Sequence, residues 1–354
     1  MRFLLNDEQA AFARSLDALL TAADTPSTAR AWSTGNHAPG LALWSRLAEA
    51  GVFALAIPQT YEGVGPLPVE LAVAFVELGR HAVPGPLVET VAAASLLTRL
   101  AEQGDASPAK RLLPPLASGD AVATLAAGSG GSPALDADAA TVTLAVEGAA
   151  DADAASTGDA SARGAGADAR YAPVGDAALR LAPGHGPVRM SVDPVRRLAV
   201  PADGGEVLAE GAHVADAFAY AADVAALVTA AQALGVGLAL LDRTVAYVKQ
   251  RTQFGTAIGT FQAVKHRLAD TLIGLEFARP LLYGAALSMT SADIAAAKVT
   301  AGEAAYAAAR TALQLHGAVG YTDELDLSLW LRKARPLRDA WGTPAQCRAR
   351  VLAG

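Results

Sequence analysis

Residues 224–241 carry no charge at all, and Asp223 and Asp242 close the run at its two ends. Eighteen uncharged positions are long enough to cross a bilayer as a helix. The composition of the run argues otherwise. Much of it is Ala and Gly, Thr229 and Gln232 interrupt it, and no aromatic or basic anchor flanks it. It reads as a helix buried on all sides in a protein core, with no membrane span. A chain with such a helix needs partner helices around it, and 354 residues with 52% hydrophobic and only 18% charged positions can supply them.

The periodicity changes twice along the chain. Asn6 followed by Gln9 fits a capping box that opens an amphipathic helix through Leu20. A second apolar-periodic segment surrounds Trp44 and Leu47 and stops at Gly51. A third covers residues 69–78, with Gly79 placed as its C-terminal cap. From about residue 119, short strand-like runs take over at 122–125, 141–146, 179–181, 188–192 and 206–208. Residues 149–170, rich in Ala, Asp, Gly and Ser, read as an irregular loop between strands. After Asp216 the helical period returns, with long helices expected over 221–249, 262–278 and 293–315. Val264, Leu268, Leu272 and Leu275 share one face of the second. The expected fold is α+β: an N-terminal helical domain (1–118), a small middle β-sheet domain (119–215) and a C-terminal four-helix bundle (216–354).

Several chemistries are absent. A formal net charge of −7 argues against nucleic-acid binding through phosphate neutralisation. One cysteine, Cys347, excludes an intramolecular disulfide and a multi-Cys zinc site, and suits a reducing cytoplasm. The N-terminus has no charged and apolar targeting pattern. Gly164 and Gly166 lack the third glycine of a dinucleotide fingerprint. The six histidines (37, 81, 185, 213, 266 and 316) are scattered and mark no metal site, and His266, between Lys265 and Arg267, reads as part of a solvated helix face.

Three motifs in order carry a resemblance. Arg251-Thr252-Gln253-Phe254-Gly255 is followed by Phe261-Gln262 and Leu268-Ala269-Asp270. Gln314-Leu315-His316-Gly317-Ala318-Val319-Gly320-Tyr321 comes next, then Gly342-Thr343. Together with residues 44–65, including Ile57-Pro58, they make the chain resemble the acyl-CoA dehydrogenase family over nearly its whole length. The resemblance implies FAD as cofactor and the helix–sheet–helix order found above. It implies flavin contacts from Arg251, Gln253, Phe254, Gln262, Gln314, His316 and Gly317. The physics agrees, since a pyrophosphate needs cations and close backbone approach, and an adenine needs aromatic contact and amide donors.

The same resemblance exposes losses. Most members place a glutamate immediately before the C-terminal Gly-Thr, where it abstracts the α-proton of an acyl-CoA; here Trp341 stands there. Other members carry the base on the first long bundle helix, at the position of Ala225, with an arginine where Ala226 stands. Asp223 is two residues away, about 200° around the helix. The segment that contacts the flavin ring in relatives is replaced by Thr124-Leu125-Ala126-Ala127-Gly128-Ser129-Gly130. The expectation is therefore no catalytic residue in this chain and no activity of the chain alone. It would be one subunit of a heterotetrameric acyl-CoA dehydrogenase, giving the adenine-arm contacts while a homologous catalytic partner supplies the glutamate and binds most of the acyl-CoA. Such assemblies often act on steroid-side-chain CoA thioesters and pass electrons to an electron-transfer flavoprotein. A homomeric flavoprotein of altered chemistry and a flavin-free scaffold fit the same losses.

Overall fold

The computed structural model describes residues 4–127, 132–148 and 177–354. Residues 149–170, with Gly164 and Gly166, and Gly128, Ser129 and Gly130 of the degenerate segment lie outside these. Six helices come first: α1 (Asp7–Thr21), α2 (Thr25–Ser33), α3 (Ala38–Glu49), α4 (Pro68–Arg80), α5 (Leu87–Glu102) and α6 (Ser107–Ser118). Seven short strands follow: β1 (Ala123–Ala127), β2 (Ala134–Leu135), β3 (Val142–Glu147), β4 (Ala178–Leu181), β5 (Arg189–Met190), β6 (Arg197–Ala199) and β7 (Glu206–Glu210). The C-terminal part holds α7 (Ala212–Gln250), the hairpin β8 (Thr252–Gln253) and β9 (Thr256–Ala257), then α8 (Gln262–Ser288), α9 (Ser291–His316), α10 (Leu327–Asp339) and α11 (Pro344–Ala353).

The chain divides into two compact units that cut across the three sequence segments. One comprises Met1–Arg30, Val69–Val83 and Ala226–Val351; the other Ala31–Pro68, Pro84–Ala225 and Leu352–Gly354. In the first, α1 begins with the expected capping box: Asn6 Oδ1 accepts from Gln9 N–H at 2.8 Å, and Gln9 Oε1 from Asn6 N–H at 3.0 Å. Helix α7 is the one described helix long and apolar enough to span a membrane, and its apolar window is wholly buried within the fold. Gly79 is not a helix cap, because α4 runs on through it to Arg80. A Cβ at Gly79 would lie 2.1 Å from the Gln232 carbonyl oxygen, and one at Gly235 would lie 1.9 Å from that of Val76. Helices α4 and α7 thus cross backbone to backbone, which only glycine permits. Helix α8 likewise continues past Pro280, ten residues beyond its expected end at 278, with Leu282, Tyr283, Ala285 and Ala286 buried along the extension. On its expected apolar face Leu275 is buried, but Leu272 is exposed.

In the second unit, β1, β3, β4 and β7 form one sheet in that order. The β1–β3 pair is parallel and the others antiparallel, with a register shift between Leu179 and Arg180. Strands β2, β6 and β5 form a second, antiparallel sheet. Strands β2 and β6 were not expected; two or three residues give too little alternation to see. Ala126, Ala134, Ala137 and Ala199 pack together as a core, so small side chains bring these strands close.

Asp136, just after β2, is fully enclosed, with Oδ1 accepting from Arg197 N–H at 3.1 Å. Burial pushes its carboxyl up to about 7, against that hydrogen bond. Because the folded value lies above the unfolded value of about 3.8, the stabilisation is full below pH ~4 and lost as pH rises through 7. Asp136→Asn keeps the acceptor and removes the charge. Its unfolding free energy relative to wild type should climb between pH 4 and 7 and then level, by an amount on the order of 4 kcal/mol, read from denaturant melts across that range. A pH-independent difference between the two proteins would refute this.

Candidate functional site

The end of α7 and the end of α9 meet in the first compact unit. Tyr247 and His316 stack with ring centroids 4.1 Å apart. Burial lowers the His316 pKa against a hydrogen bond from Nδ1 to the Ala312 carbonyl at 2.8 Å. A carbonyl can only accept, so Nδ1 carries the proton. His316 is a buried ring whose Nδ1–H is spent on the backbone, beneath the site surface rather than on it.

Immediately after α7, Arg251 turns the chain into the β8–β9 hairpin, and Ile258 N–H donates to its carbonyl at 2.9 Å. The two-residue turn is Phe254 (φ +52°) and Gly255 (φ +76°), both left-handed as a tight hairpin turn of this kind requires. Glycine tolerates this freely; a phenylalanine does so at about 1 kcal/mol or more. Phe254 is moreover 93% exposed, its one ring neighbour among the described residues being Phe261 at 6.4 Å, edge-on. A strained backbone holding an aromatic ring out in water has no folding rationale; it suits a ring that stacks on something brought to it.

The neighbouring side chains are equally unspent. The Arg251 guanidinium makes no hydrogen bond or ion pair among the described residues, and Gln253 and Gln262 are exposed with their amides unpaired. Arg267 on α8 donates to the Gln314 carboxamide oxygen, which leaves the Gln314 NH2 outward. From Lys249 to Arg267 the chain carries four permanent cations and no carboxylate. Gly317 ends α9 with φ +67° and ψ −146°, and a Cβ there would meet nothing within 4 Å. Its backbone faces open space. A cation fork, an exposed aromatic, free amides and a bare glycine backbone fit the adenine and pyrophosphate of a dinucleotide.

The residues expected around a reacting flavin ring differ. Trp341 (φ +53°) and Gly342 (φ +125°) form the turn after α10. Lys298, on α9 and 1% exposed, holds this turn: its ammonium donates to the carbonyls of Leu337, Arg338 and Gly342 at 3.0, 2.9 and 3.1 Å. Burial pushes its pKa down to about 8. Thr343 and Gln346 make a reciprocal cap for α11 (Thr343 N–H to Gln346 Oε1, 2.8 Å), so the Gly-Thr pair serves the backbone here. Ala225 and Ala226 are fully buried methyl groups. In the second unit, Thr124 donates its hydroxyl to the Leu135 carbonyl at 2.6 Å and is fully buried, so it offers nothing to a ligand. Sequence reasoning missed Tyr247, Arg267 and Lys298. Lys298 alone left a trace, as a single cation in an alanine run on a helix.

Comparison with known proteins shows the family. Residues 6–120 match the acyl-CoA dehydrogenase N-terminal domain, and residues 215–353 the acyl-CoA dehydrogenase C-terminal domain. The chain is 32% identical over 312 residues to the acyl-CoA dehydrogenase IpdE2 of Mycobacterium tuberculosis, covering 87% of this chain and 85% of that one. Among solved structures, the Tcur3481–Tcur3483 steroid ACAD variant superposes with a TM-score of 0.77 at 23% identity, over 98% of this chain and 96% of that one. PigA with FAD and proline superposes at 0.79 and 20% identity, over 99% and 98%.

Proposed function

The chain belongs to the acyl-CoA dehydrogenase family, and we propose that it serves there as the non-catalytic half of a mixed assembly. The cofactor is FAD, which accepts the substrate's β-hydrogen as hydride when bound. This chain contributes the adenine-arm contacts: Arg251 to the pyrophosphate, Phe254 against the adenine, Gln253, Gln262 and Gln314 as amide partners, Gly317 for close approach, and His316 as the buried support of that turn. The α-proton is removed by a carboxylate of the homologous partner chain, which also binds most of the acyl-CoA. The substrate class is a CoA thioester with a steroid side chain, in keeping with the likeness to a steroid enzyme of two named chains. Electrons leave to an electron-transfer flavoprotein, in the reducing cytoplasm that a single cysteine suits.

One observation carries this reading: Arg251, Gln253, Phe254 and Gln262 are exposed, with no side-chain hydrogen bond or ion pair among the described residues, while the two positions for a base hold Trp341 and Ala225. A dinucleotide laid on Phe254 and Arg251 would have its other side in water unless a second chain covered it. Helix α8 offers a surface for that chain. Ile273, Phe277 and Leu281, one turn apart on one face, are 52%, 70% and 43% exposed. The experiment is co-expression with a family member carrying Glu before its C-terminal Gly-Thr, followed by co-purification, light scattering and absorbance. A mixed dimer or tetramer with bound flavin is expected, and Phe277→Ala should weaken its association about tenfold by removing buried apolar area. A monomer beside the partner refutes the reading. A yellow, active homotetramer favours altered chemistry on this scaffold, and a colourless complex favours a flavin-free scaffold.

A further inference from the structure

Away from the flavin arm, α1 and α4 bring three ligand-type side chains together. Glu77 lies on α4 and His81 directly follows its last residue, one turn on, with His81 N–H donating to the Glu77 carbonyl at 3.1 Å; Asp17 faces them from α1. His81 Nε2 lies 2.8 Å from Asp17 Oδ1, and one ligand atom from each of the three residues falls within 4.8 Å of the others. The histidines of this chain are scattered in sequence, and this meeting, across 64 positions between Asp17 and His81, is a product of the fold alone.

Glu77 is the telling member. Its side chain is only 14% exposed, yet its carboxylate accepts no hydrogen bond among the described residues. Its one ion pair among the described residues is with Arg80 Nε, at 3.6 Å, and Arg80 is already engaged through Nη2 with Asp242 at 3.0 Å. A mostly buried carboxylate without a hydrogen bond is costly unless a cation or donor reaches it. Here it faces a second carboxylate and an imidazole.

We propose that Asp17, Glu77 and His81 form a site for a divalent transition metal that staples α1 to α4. Two carboxylate oxygens and one imidazole nitrogen suit zinc and its neighbours, which bind such donors at about 2.0–2.2 Å. Magnesium and calcium favour oxygen alone and are disfavoured. Ligands at those distances lie about 3–4 Å apart around the ion, so less than about 1 Å of side-chain movement closes the site. Asp17 is exposed enough to make that movement and to admit the ion with its waters. The cations Arg80 and Arg279 near Glu77 offset part of the negative charge, so the site is of moderate affinity.

The test uses the full chain, stripped with EDTA and titrated with ZnCl2 by calorimetry, with MgCl2 in parallel. One equivalent of Zn2+ should bind, and saturation should raise the melting temperature by about 3–5 °C, with no effect of Mg2+. Co2+ should give visible d–d absorption at the same stoichiometry. Glu77→Gln should lower Zn2+ affinity at least tenfold; Asp17→Asn, on the exposed side, should do so without threatening the fold. Absence of a stoichiometric Zn2+ site in the wild-type chain would overturn the proposal. So would variants that bind Zn2+ and shift the Co2+ spectrum as the wild type does.

Discussion

Purified alone and offered any acyl-CoA, this chain should give no substrate-dependent flavin reduction, whereas the assembly with its glutamate-bearing partner should. A positioned general base contributes about 100- to 10,000-fold, and neither family position for one holds a proton acceptor here. Trp341 occupies one and the buried methyl of Ala225 the other. Trp341→Glu should not restore turnover. The turn itself is in place, held by Lys298 through three carbonyls, so the new carboxylate would stand on an ordered backbone. What it would lack is everything else: Ala226 where relatives carry arginine, and a Thr124 hydroxyl committed to Leu135. The measurement is anaerobic bleaching of the flavin band with a panel of acyl-CoA thioesters. Robust turnover by the single chain, or rescue by Trp341→Glu, would end the non-catalytic assignment.

Much of the fold is legible in the sequence, and the exceptions have physical causes. The capping box of Asn6 and Gln9 is a local contact between residues three apart, so sequence suffices to find it. Gly79 misled because glycine serves both helix ends and close helix crossings; only the Gln232 carbonyl beside it decides between them. The helix expected over 262–278 runs on through Pro280 because the turns beyond it bury Leu282 and Tyr283, and that packing overrides the proline. Within the arm motif, the hairpin β8–β9 is two residues per strand and leaves no periodicity, although Phe254-Gly255 as its tip explains why that glycine stands where it does. Longer-range features left still less trace. Lys298 meets the turn after α10 forty residues later, and Asp17 meets His81 only because α1 lies along α4.

Arg251 is where the arm assignment stands or falls. Its guanidinium is exposed, permanently charged and unpaired among the described residues, at the foot of a hairpin fixed by the Ile258 N–H bond to its own carbonyl. The backbone there does not depend on the side chain, so Arg251→Ala should leave the fold and the assembly intact. What it removes is a planar fork of donors that lysine would not reproduce. A charge-assisted hydrogen bond of this kind is worth about 1.5–3 kcal/mol, roughly a 10- to 150-fold loss of flavin affinity. The mixed complex should therefore purify with depleted flavin and recover activity when excess FAD is added. Gln314→Ala should act the same way more mildly, because its bond is neutral and because it also frees Arg267, a neighbouring cation, to approach the phosphates. The flavin-to-protein absorbance ratio of intact complex, before and after dilution, separates the outcomes. Full occupancy in Arg251→Ala after dilution would mean that the unpaired cation serves some other anion and that the flavin arm is held elsewhere.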